Sequence, residues 1–110
     1  MGANMINVNG IEWNIRFVNP NDSNLMRSDG SITLGVTDNN TRTVYINNSL
    51  SEYMYNRVIT HEMCHVFSFS YGCDMDIQTE EIVADFLSLY GRDVIKVADS
   101  IIGDVMRYIG

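Results

Sequence analysis

The chain has 110 residues, 45% of them hydrophobic and 19% charged, with eight Gly and one Pro. This is an ordinary globular composition that excludes a disordered or fibrous chain and leaves room for one core. Seven Lys and Arg against fourteen Asp and Glu give a net charge of -7, so the phosphate-neutralising stripe of a nucleic-acid binder is missing.

Residues 1–9 carry no expected element, and Met5 reads as the natural start, with residues added by cloning before it. From Gly10 to Val18, Ile11, Trp13, Ile15 and Phe17 alternate with mostly polar residues, the pattern of a half-buried strand. Asn19 to Gly30 holds the only proline among Asn, Asp, Ser and Gly, and reads as a loop with a helical turn at Leu25 and Met26. Ser31–Val36 and Thr41–Asn47 are β-branched segments around Asp38-Asn39-Asn40, residues able to adopt the positive φ of a hairpin turn.

After Asn47 the period changes. Ser49 and Glu52 have the spacing of a capping box, and Leu50, Tyr53, Met54, Val58 and Phe67 recur on one helix that Tyr71-Gly72 stops near Phe69. Ile77–Tyr90 is expected as a second helix, with Ile82, Val83, Phe86 and Leu87 on its apolar side and Gly91 after it. Asp93–Ile109 is expected as a third, with Val94, Val97, Ile101, Val105 and Ile109 in one stripe. Strands followed by helices imply an α+β domain, with helices on one face of a small antiparallel sheet of about three strands.

No stretch approaches about 18 consecutive apolar residues, and the N-terminus lacks the basic and apolar regions of a secretory signal. Cys64 and Cys73 have no C-x-x-C spacing and read as reduced thiols, Cys64 in the core. A cytoplasmic protein with no membrane partner is expected.

The first helix contains His61-Glu62-Met63-Cys64-His65, and these are the two histidines of the chain. Residues four apart lie one turn above another, so both imidazoles reach one ion while Glu62 is rotated about 100° to the side. Zinc with an open position for water needs a third protein ligand, and with no further His it must be a carboxylate. Glu81 on the next helix is one candidate and Glu80 its rival. If Glu81 faces the metal, Asp85 lies on the same face and can hold a ligand imidazole. Glu80 has Ala84 at that spacing and fits an exposed helical face better.

Together the strand Thr43-Val44-Tyr45-Ile46-Asn47, the helix with His61-Glu62-Met63-Cys64-His65, and Glu81-Ile82-Val83-Ala84-Asp85 resemble the gluzincin metallopeptidases. In detail the chain looks like the small ImmA/IrrE-type phage and bacterial branch and is also similar to minimal single-domain gluzincins. The resemblance runs from about Gly30 to Gly91; residues 1–29 and the C-terminal helix lie outside it. It implies a zincin-like domain spanning residues 1–110 and binding one zinc ion through His61, His65 and Glu81. Glu62 would be the general base and Asp85 would support a ligand imidazole. The strand Thr43–Asn47 would form the upper edge of the cleft, where an extended peptide adds by main-chain hydrogen bonds.

The chain departs from the pattern at Cys64, where these families often have a small residue. It also lacks a downstream His for the tetrahedral oxyanion, which leaves Tyr55, Tyr71 and Tyr90 as candidates for that role. The function implied is zinc-dependent hydrolysis of a peptide bond in a protein partner, such as a phage or mobile-element regulator. The alternative is a non-catalytic zinc-site module that binds and inhibits a host or phage protein.

Overall fold

The chain opens on two strands where its sequence suggests one. In the computed structural model, which describes residues 3–109, β1 (Ala3–Val8) pairs antiparallel with β2 (Ile11–Val18), Val8 opposite Ile11. Asn9 and Gly10 between them both have positive φ, 53° and 80°, the backbone that a two-residue hairpin turn demands. Asn-Gly is itself the signal for this hairpin. Residues 3–8 are therefore part of the sheet, and the expected added leader lies partly at positions 1 and 2, outside the described residues.

The fold is α+β, built on a four-stranded sheet in the order β1-β2-β4-β3. It is mixed rather than antiparallel. β4 (Thr43–Asn47) runs parallel to β2, with Ile15 opposite Val44, and antiparallel to β3 (Gly35–Asp38), with Val36 opposite Tyr45. A parallel pair needs a long crossover, which residues 19–34 and β3 supply, with a single 3-10 turn at Ser23–Leu25. The expected hairpin is present with shorter strands. Its positive φ falls on Arg42 (51°) instead of Asp38, Asn39 or Asn40.

The strand order corrects the expected cleft edge. Thr43, Val44, Tyr45, Ile46 and Asn47 are flanked by strands on both sides, so their backbone is not free to receive a peptide. The edge strand beside the helices is β3, where Gly35 lies against Val58.

Helix α1 (Glu52–Ser70) covers the sheet. Val58 and Val66 join Val8, Trp13, Ile15, Val44 and Ile46 in the core. The cap is Ser51, whose Oγ accepts from Met54 N at 3.2 Å; Ser49 instead donates its own N–H to Asn47 Oδ1. Trp13 is fully buried and its Nε1 donates to Ser70 Oγ at 2.9 Å, tying β2 to the end of α1. Tyr71 then caps the helix and Gly72 turns away with φ of 62°, as expected.

The second and third expected helices are one, α2 (Ile77–Ile109), of 33 residues. Gly91 does not stop it, because its backbone is not left-handed. It is a buried position where a Cβ would meet the Leu87 side chain, next to Arg92, whose Nη2 donates to Thr60 Oγ1 of α1 at 2.9 Å. The buried positions of α2 are Glu80, Ala84, Ser88 and Gly91. The side expected to be buried is exposed: Ile82, Val83, Phe86 and Leu87, then Val94, Val97, Ile101, Val105 and Ile109. A helix of this length spans about 50 Å and accounts for the 55 Å long axis and the 16.2 Å radius of gyration, against about 13 Å for a compact chain of similar size. Among the described residues no helix is long and apolar enough to cross a membrane.

Candidate metal centre

Two successive helices joined by a short turn place the site. Asp76 opens α2, its Oδ1 accepting from Thr79 N at 2.9 Å. The first turns of α2 then run beside the last turns of α1, and Glu80 and Glu81 face the two histidines.

Glu81 spans both imidazoles. Its Oε2 lies 3.1 Å from His61 Nε2 and its Oε1 lies 2.9 Å from His65 Nε2. The opposite ring nitrogens are each met by a different carboxylate: His61 Nδ1 is 3.0 Å from Asp85 Oδ1, and His65 Nδ1 is 2.5 Å from Glu80 Oε2. Ser68 Oγ donates to the other Glu80 oxygen. A carboxylate at Nδ1 holds the neutral ring in the tautomer protonated there and leaves the Nε2 lone pair free.

In that tautomer both Nε2 lone pairs face the Glu81 oxygens, a set of acceptors that a cation satisfies. The ligand atoms of His61, His65 and Glu81 lie within 4.8 Å of one another. Tetrahedral ligands at about 2.0 Å from zinc are separated by about 3.3 Å, close to the 3.1 Å and 2.9 Å between the Glu81 oxygens and the two imidazoles. His61, His65 and Glu81 can hold a metal ion, and Asp85 has the place beside an imidazole that its spacing suggested.

Glu80 is different from its expected place. It is 3% exposed rather than on a solvated face, and it is the carboxylate behind His65. The stripe Ala84, Ser88 and Gly91 on its side of α2 is the signal that would have found it, since small residues at helical spacing let two helices approach. Glu80→Gln should keep the fold and weaken metal affinity by about 10–100-fold, as loss of a carboxylate behind a ligand imidazole does. Titration of the purified variant with zinc against a competing chelator measures this, and unchanged affinity would remove Glu80 from the site.

Glu62 points toward β3, its Oε1 accepting from Thr37 Oγ1 at 2.9 Å. Burial pushes its carboxyl above the usual carboxylate range, against the opposing pull of the Thr37 hydroxyl and the two imidazoles. Gly35 faces the same side chain; a Cβ there would meet Val58 Cγ1 at 2.8 Å and Glu62 Cγ at 3.0 Å. Neither Thr37 nor Gly35 carries a motif in the sequence. The strand brings them to Glu62.

A cleft of about 760 Å³ runs between β3 and the helices, lined by Thr37, His61, Glu62, His65, Glu81 and Asp85 among others. None of the three tyrosines considered for the oxyanion lines it. Tyr55 packs edge-on against Phe17, Tyr71 stacks on Phe67, and Tyr90 meets Phe86. These contacts leave the three tyrosines outside the lining of the cleft. The cations lining the cleft are Arg27 and Arg57. Cys64 is buried and Cys73 exposed, both free.

Comparison of the chain with protein-family models, with curated proteins and with solved structures finds no match.

Proposed function

We propose that this protein is a zinc-dependent peptidase of zincin-like build that cleaves a peptide bond in a protein partner. The observation that carries the reading is the double clamp on the histidines: Asp85 and Glu80 hold the two Nδ1 atoms while both Nε2 atoms face Glu81. A structural zinc site closes with four protein ligands; three ligands, with a carboxylate base in the same cleft, suit catalysis. The order of strand, H-E-x-x-H helix and second ligand-bearing helix supports the likeness to gluzincins, which rests on the motif. The free cysteines accord with work in a reducing compartment such as the cytoplasm.

A zinc ion held by His61, His65 and Glu81 would polarise the scissile carbonyl and acidify a water beside it. Glu62 takes a proton from that water as the water oxygen bonds to the carbonyl carbon, and returns it to the amine as the C–N bond breaks. Thr37 fixes the Glu62 carboxyl by donating to Oε1. β3, hydrogen-bonded on one side only, offers its free edge to an extended peptide.

The test is incubation of the purified protein with a mixed peptide library. Cleavage that stops with a chelator and returns with zinc is expected. A zinc-loaded protein that cleaves nothing would favour the second reading, a zinc-site module that binds and blocks a protein partner. That reading draws on the uncovered apolar side of α2, from Ile82 to Ile109, a surface of the kind that marks protein contacts.

A further inference from the structure

The cleft that holds the acidic cluster also holds two arginines. Arg57 lies one turn before His61 on α1 and Arg27 lies in the loop before β3. Neither pairs with a carboxylate among the described residues. Arg27 is exposed, with one long hydrogen bond from its Nη2 to Thr33 Oγ1 at 3.4 Å and Asp29 as a charged neighbour. The Nε of Arg57 is buried and donates to nothing. A buried donor without an acceptor is costly, and an anion entering the cleft would remove that cost. In a chain with twice as many acidic as basic residues, a buried guanidinium nitrogen without an acceptor at Arg57, with Arg27 lining the same cleft, is a specific arrangement.

We infer that Arg57, assisted by Arg27, forms a carboxylate-binding subsite of the cleft that selects peptides bearing a carboxylate close to the scissile bond. The inference rests on the peptidase reading for its substrate and on Arg57 for its chemistry. Guanidinium is the side chain that meets carboxylate with paired N–H donors. One helical turn separates Arg57 from His61, about 6 Å along the axis, which an extended peptide covers in about two residues. Gly35, at the start of β3, packs on Val58 beside Arg57. A peptide added antiparallel to β3 therefore runs its C-terminal end toward the arginines. The carboxylate is that of the peptide's C-terminus or of an acidic side chain on the C-terminal side of the cleaved bond.

The experiment follows the Nε–H signal of Arg57 by NMR in the full chain, assigned by its loss in Arg57→Gln. Three probes are titrated: N-acetylglycine, which carries a terminal carboxylate; N-acetylglutamate α-amide, which carries only a side-chain carboxylate; and the neutral N-acetylglycinamide. Each titration is run on zinc-loaded and on chelator-treated protein. A saturable shift of the Arg57 signal with a carboxylate probe and none with the neutral amide is expected in both. The tighter of the two carboxylates identifies which source the subsite takes. Arg57→Gln should bind that probe about tenfold or more weakly, as loss of a charge-assisted hydrogen bond implies, and Arg27→Gln by less. No shift with either carboxylate, an equal shift with the amide, or undiminished binding by Arg57→Gln would overturn the proposal. Because the readout is the arginine and one arm is metal-free, failure of the peptidase reading would appear separately, as absent zinc or absent cleavage.

Discussion

His65→Ala should purify without zinc, where the unaltered chain is expected to carry about one ion, and it should also be the less stable of the two histidine variants. The substitution removes one of three protein ligands. It also removes one of the two donors to Glu80, 3% exposed, whose Oε2 lies 2.5 Å from His65 Nδ1 while Ser68 Oγ meets its other oxygen, and a buried acceptor left unpaired costs about 1–3 kcal/mol. His61→Ala should lose zinc equally with a smaller stability loss, because its partner Asp85 has a side chain 62% exposed that water can solvate. Elemental analysis of both variants, with urea denaturation of each in the presence of chelator, separates the two effects. Zinc content equal to the unaltered chain in either variant would sink the ligand assignment.

Glu62→Gln should retain zinc and fold while cleavage falls by about 10²–10⁴-fold, the usual contribution of a general base. Gln keeps an oxygen able to accept from Thr37 Oγ1 in place of the carboxylate, so the side chain has reason to stay where it is. What it lacks is a group that takes a proton. The measurement is the initial rate on whichever library peptide the unaltered protein cleaves, alongside zinc content and a denaturation curve. Full activity in a folded, zinc-loaded variant would exclude Glu62 as the base. If the protein acts by binding alone, its effect on its partner should survive the substitution.

The residues of the histidine–carboxylate cluster were legible where spacing along one helix dictates geometry. His61 and His65 lie one turn apart whatever surrounds them, and Asp85 follows Glu81 by the same rule. Contacts between elements were less legible. Periodicity assigns the apolar side of α2 to the core, yet the contact with α1 uses Glu80, Ala84, Ser88 and Gly91, since close approach of the two helices favours small side chains over large ones. Glu80 was misplaced for that reason: its neighbour in space is His65, fifteen residues away. Strand direction was hidden too, because a hairpin fixes the pairing of β3 with β4 and says nothing of β2. The β1–β2 hairpin did carry a sequence signal, in Asn9-Gly10.

The proposed ligands and the carboxylates behind them come from a continuous stretch, His61 to Asp85, with the paired residues only 15 and 20 positions apart. Loop-closure entropy grows slowly with length and is small for such separations, so an ion bound here would link α1 to α2 without first requiring the sheet. The β2–β4 pairing, by contrast, joins residues such as Ile15 and Val44 across the long crossover, and contacts of that range form late and slowly. The helical hairpin is thus the unit of low contact order in this chain. Metal present during refolding should accelerate its closure, and the slower event left over would be assembly of the mixed sheet against α1.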